Sequence, residues 1–98
     1  MTTAKAIAEF ISGMQNIERG IIARVRAAGI PITAENFIWN HGKDIVRLPM
    51  NTISLEIRVQ GRSTNAVFGR EQVMDSCAGM DRPDVLKMVK DLSADLMR

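Results

Sequence analysis

Asn51 to Gly69 reads NTISLEIRVQGRSTNAVFG. In its first half Ile53, Leu55, Ile57 and Val59 alternate with Ser54, Glu56 and Arg58, the period-two pattern of a strand with one buried face. On a helix the four aliphatics would spread around all sides, so the strand reading wins. Gln60-Gly61-Arg62-Ser63 supplies turn residues, and Gly61 is free to take positive φ. Thr64 to Phe68 then forms a shorter return strand closed by Gly69. A lone two-stranded hairpin is marginal in water, so the flanking segments must cover its apolar face.

Both flanks read as helices. From about Thr3 to Ala28, Ile7, Phe10, Ile11, Met14, Ile17, Ile21, Val25 and Ala28 recur at steps of three and four, one broad apolar stripe. Gly29 stands at the C′ position with Pro31 beyond it, a common stop, and Arg24 and Arg26 suit the negative end of the helix dipole. At the other end, Val85, Leu86, Val89, Leu92 and Leu96 supply the apolar face of a helix over about 82–97. Asp81 is the expected N-cap, and Pro83 falls in the first turn, where its missing N–H costs nothing.

The segments between these elements are less regular. Phe37-Ile38-Trp39, Asn40-His41-Gly42-Lys43 and Ile45-Val46-Arg47-Leu48 read as a second hairpin. The competing reading of residues 34–48 is a short helix capped by Thr33 and ended by Gly42; the aromatic and β-branched residues favour strands. Pro49 and Asn51 punctuate the entry to the central hairpin. Arg70 to Ser76 allows a helical turn presenting Val73 and Met74, followed by a loop at Cys77-Ala78-Gly79. The expected architecture is α+β, a single compact domain over residues 1–98. It has a long N-terminal helix, a three- or four-stranded antiparallel sheet with its hairpin at about 52–69, and a C-terminal helix. The helices cover one sheet face, and the other displays Ser54, Glu56 and Arg58.

Composition narrows the setting. The 98 residues, 46% hydrophobic and 24% charged, are ordinary for a globular domain and suffice for a modest core. No apolar run approaches membrane-spanning length, and Lys5 and Glu9 interrupt what would be a signal sequence. One cysteine forms no disulfide framework and fits a reducing compartment, so a cytoplasmic location is expected. The net charge of +2 is uneven, basic through the hairpin and acidic from residue 71 onward. A mixed solvated surface accounts for it; association with a partner is the sharper reading.

Motifs for catalysis are absent. A Cys–His pair would have to join His41 with Cys77, oriented by Asp44, and neither has a supporting local motif. No cluster has metal-ligand spacing, and neither GxxxxGK nor GxGxxG occurs. No enzyme activity, metal or cofactor is therefore expected. Two binding readings remain. In the first, Ala6, Gly13, Gly20 and Ala27, spaced by seven on the first helix, form a strip of small residues. Each interior glycine costs roughly 1 kcal/mol relative to alanine, so a close helix–helix interface, across a homodimer axis, would give the strip a purpose; a kink or a solvent-facing strip is the plainer explanation. The seven methionines add adaptable apolar surface, with Met80, Met88 and Met97 flanking the last helix. This reading gives a small cytoplasmic accessory or regulatory protein that binds itself or another protein. In the alternative, Arg58, Arg62 and Arg70 on the hairpin contact nucleic acid, a β-ribbon being able to enter the major groove. Glu56 among those arginines, and only four aromatics, weigh against it.

Overall fold

The structure is a computed structural model that describes residues 4–43, 51–79 and 81–98. Helix α1 (Ala4–Ala27) is followed by strands β1 (Phe37–Trp39), β2 (Thr52–Val59) and β3 (Arg62–Gly69), a short helix α2 (Arg70–Asp75) and helix α3 (Pro83–Leu96). The strands form one antiparallel sheet in the order β1-β2-β3. The arrangement is α+β, with the long N-terminal and C-terminal helices expected from the apolar periodicity.

The central hairpin is more regular than its sequence suggests. Gln60 and Gly61, with φ of 51° and 76°, make a two-residue turn with both central residues left-handed, the type that matches strand twist. β3 therefore starts at Arg62, two residues earlier than the pattern implies. Pairing runs without a bulge from Val59 opposite Arg62 to Thr52 opposite Gly69. This register puts Ile53, Leu55, Ile57 and Val59 on the same face as Thr64, Ala66 and Phe68. All four β2 aliphatics are at most 4% exposed, each worth roughly 1.5–3 kcal/mol of burial. On β1, Phe37 opposite Ile57 and Trp39 opposite Leu55 join the same face, with the Trp39 and Phe68 rings tilted 5.8 Å apart.

Both long helices lie on this face. Phe10, Met14, Ile17, Ile21 and Val25 of α1 share one core with Val85, Val89, Leu92 and Leu96 of α3 and with the inward residues of the sheet. Trp39 Nε1 donates to Glu18 of α1 at 2.8 Å, and the Thr64 hydroxyl donates to Asp95 of α3 at 2.9 Å. α1 ends as its sequence predicts: Gly29 has φ of 89°, its N–H donates to the Arg26 carbonyl, and the Ile30 N–H donates to Val25. That pair of bonds is a Schellman motif.

Two expectations are corrected. The start of α3 is not capped by Asp81: the cap position is Arg82, with Pro83 as the first helical residue. Asp84 instead turns its carboxylate back to accept from the Val85 N–H at 2.9 Å. Of the alternatives for residues 34–48, each is realised in part. Ala34–Asn36 is one 3-10 turn, in which Asn36 Oδ1 accepts from the Thr33 N–H at 2.8 Å, and Phe37–Trp39 is a strand. The return strand proposed at 45–48, Asp44 and Pro49 lie outside the described residues.

Candidate functional site

The face of the sheet turned away from the helices is the candidate site. Its rows follow from the register: Ile38, Glu56 and Asn65 lie side by side, as do Ser54 with Val67 and Arg58 with Ser63. Val67 is 60% exposed, the most exposed large hydrophobic residue among those described. Asn65, Ser63 and Arg58 on the same face are exposed too, while Ile38, Ser54 and Glu56 are half-buried. Arg58 pairs with Glu56 at 3.1 Å along the same strand. An exposed apolar residue among polar neighbours is ordinary anatomy for a small contact surface.

A shallow depression on this face is lined by His41, Ser54, Glu56, Asn65 and Val67. His41 belongs to a tight turn in which Asn40, His41 and Gly42 all have positive φ, of 53°, 57° and 81°. Serine, histidine and glutamate thus share one hollow, but no hydrogen bond links any two of them, and the Glu56 carboxylate is held by Arg58. The nucleophile–base–orienter relay of acyl-transfer sites is not assembled there. Cys77 is a half-buried free thiol, and it shares no hydrogen bond with the exposed His41. Among the described residues there is no cluster of His, Cys, Asp or Glu able to hold a metal ion, and no helix long and apolar enough to cross a membrane.

The three hairpin arginines are not gathered on one surface. Arg58 lies on the open face, with its charge engaged by Glu56. Arg62 follows the turn, and its Nε donates to the Arg98 carbonyl at 3.2 Å, toward the helical side. Arg70 begins α2 at the opposite end of β3, where it lines a polar hollow with Asn51, Glu71, Gln72 and Arg82. Arg70 lies eight positions beyond Arg62, about 26 Å of extended strand.

The small-residue strip also divides. Gly13 is buried, and the Val73 carbonyl of α2 occupies the space that a β-carbon there would need. The close helix approach at Gly13 is thus made within the chain, which leaves that position unavailable to a second copy. Ala6 and Gly20 are half-buried, and Ala27 is exposed. Of the methionines, Met14 is in the core, Met74 and Met88 pack against it, and Met97 is 40% exposed; Met80 lies outside the described residues.

Two polar features were not anticipated from sequence. Burial pushes the Glu18 carboxyl above its ordinary range, against the opposing pull of the Trp39 bond. At the α2–α3 junction, Gln72 donates to Asp84 at 3.0 Å, and Arg82 grips the same carboxylate with two bonds of 3.0 and 2.8 Å. The third Arg82 bond, at 3.0 Å, reaches Asp75. Gln72 and Arg82 hold the Asp84 carboxyl down to about 2. No spacing rule in the sequence marks either cluster: Glu18 and Trp39 lie 21 residues apart, and the junction cluster depends on how the loop between α2 and α3 folds. Val67 was missed as well, although a two-residue turn at Gln60-Gly61 suffices to place it beside Ser54 on the polar face. No family model matches the chain, and no curated protein or solved structure was found similar to it.

Proposed function

We propose that this chain is a small non-enzymatic binding protein, acting as an accessory or regulatory factor, that contacts a protein partner through the open face of its sheet. The observation that carries the reading is Val67, a β-branched aliphatic residue 60% exposed on that face, at its β3 edge. An aliphatic side chain left in water on an otherwise polar strand face forgoes roughly 1 kcal/mol or more of burial, and a partner surface recovers it. Ile38 and the Arg58–Glu56 pair on the same face offer the mixed apolar and charged contacts from which protein interfaces are built. Arg62 and Arg70, turned elsewhere, add nothing to a phosphate-binding patch on this face.

A photo-reactive amino acid placed at Val67, and in a control protein at the exposed Arg24, tests the reading in the cells that produce the protein. A discrete adduct with a protein other than this chain from position 67, and none from position 24, is the expected result. The reading is overturned if position 67 gives no protein adduct while purified protein binds duplex DNA or single-stranded RNA. That binding would weaken with salt and disappear in the Arg58→Glu, Arg62→Glu double variant.

A further inference from the structure

We infer that the free edge of β3 pairs with the same edge of a second copy of this chain, about a two-fold axis at Asn65, to make a six-stranded sheet. The inference goes beyond the open-face reading and does not depend on it. It begins with which backbone groups point outward. The Arg70 N–H donates to the Asn51 carbonyl at 2.8 Å, and the hairpin keeps one register throughout. In an antiparallel pair, hydrogen-bonded and non-bonded positions alternate. Arg70, Phe68, Ala66, Thr64 and Arg62 are therefore the residues bonded to β2. Ser63, Asn65, Val67 and Gly69 turn their N–H and C=O groups away from it.

Gly69 is already engaged, because its N–H donates to the Gln72 side chain at 2.7 Å. Among the described residues nothing bonds to the outward groups of Ser63, Asn65 or Val67. Exposed edges of this kind are ordinarily guarded by a charge, a proline, a bulge or a very short strand. β3 has none of these guards: it is eight residues long, unbulged, and uncharged from Ser63 to Gly69. Arg62, its one charged residue, is drawn aside to the Arg98 carbonyl.

The partner and the register follow from symmetry. Two antiparallel copies match outward groups only when odd-numbered residues face odd-numbered residues. With Asn65 opposite its own copy, Ser63 faces Val67 of the second chain at both ends. All three free donors and all three free acceptors on each copy are then satisfied. A shift by two residues would bring Gly69, whose N–H is taken, opposite Ser63. The edge is thus complementary to itself in one register.

Sedimentation of the purified chain across a concentration series reads the dimer directly, and three variants read its geometry. Asn65→Pro removes an outward N–H without deleting a bond to β2, the position at which an edge strand tolerates proline; the dimer should weaken by about tenfold or more through the lost central bonds. Ser63→Lys with Val67→Lys sets like charges opposite each other at both ends and should weaken it by about tenfold. Ser63→Lys with Val67→Glu sets opposite charges there and should restore it to within about threefold of the parent. A parent chain that stays monomeric overturns the proposal, as does equal dimerisation of the Lys/Lys and Lys/Glu variants. Those two share the same altered positions, so the comparison decides even if the proline variant does not fold. A monomeric parent leaves the cross-linking test of the open face unaffected.

Discussion

The backbone carbonyl of Val73 fills the place where a β-carbon on Gly13 would stand. Helices α1 and α2 meet there backbone to backbone. The carbonyl cannot swing aside cheaply, because it accepts the Ser76 N–H at 3.1 Å in the last turn of α2. Gly13→Ala would gain roughly 1 kcal/mol of helix propensity, yet it forces the two backbones apart, and overpacking of this kind typically costs about 1–3 kcal/mol. The clash should win, lowering the melting temperature by about 4–8 °C per kcal/mol lost. An unchanged or raised melting temperature would refute the close contact. The same geometry means that loss of assembly in a Gly13→Leu variant reports a damaged fold and says nothing about an interface at that position.

Glu18 and Trp39 make a pH-sensitive pair. Burial raises the carboxyl above its ordinary value of 4.5, so folding favours its neutral form. Its contribution to stability is therefore greatest below 4.5, declines as pH rises through the raised folded value, and is constant above that. Glu18→Gln keeps an acceptor for the indole N–H but cannot ionise. At pH 7 the variant should be at least as stable as the parent, with the difference closing in acid. Trp39 is the single tryptophan, so its emission should titrate with a midpoint above 4.5 in the parent and stay flat in the variant. A midpoint below 4.5 would reverse the assigned direction.

The hairpin turn holds a residue ill-suited to its backbone. Gln60 sits at φ of 51°, a left-handed conformation that costs an ordinary L-residue roughly 1–2 kcal/mol and that asparagine adopts more readily. Gln60→Asn should raise stability by about 0.5–1 kcal/mol, read as a higher midpoint in chemical denaturation at unchanged slope. The side chain is exposed, so no packing is lost. A lower midpoint would mean that the turn is not of this type.

What could be read from sequence followed the periodic elements. Ile53 to Val59 could be assigned from alternation alone, and the stripes from Phe10 to Val25 and Val85 to Leu96 from helical spacing, because each pattern reflects burial on one face. Gly13 was legible as a close approach, but the approaching element was not: α2 lies 60 residues further on, and no local pattern says which backbone fills a gap. For the same reason Asp81 was read as the cap: it precedes an apolar stripe, and only the positions of Gln72 and Arg82 in space show that Asp84 is the engaged carboxylate. The open face was legible in Ser54, Glu56 and Arg58. Its most telling residue, Val67, depended on knowing the exact length of the turn.

Asp84 accepts from Gln72, from two nitrogens of Arg82 and from the Val85 N–H, and these donors lower its carboxyl from 3.8 to about 2. A group whose folded value is depressed contributes stability above its unfolded value and loses that contribution as pH falls through the folded one. The α2–α3 junction should therefore hold its full strength down to about pH 4 and weaken between about 4 and 2. A carboxyl-carbon NMR titration should place Asp84 near 2, well below its ordinary value of 3.8. Asp84→Asn should be less stable than the parent at neutral pH, and that gap should narrow as the parent is acidified through the same window. If Asp84 instead titrates at its ordinary 3.8, Gln72 and Arg82 do not hold it in solution.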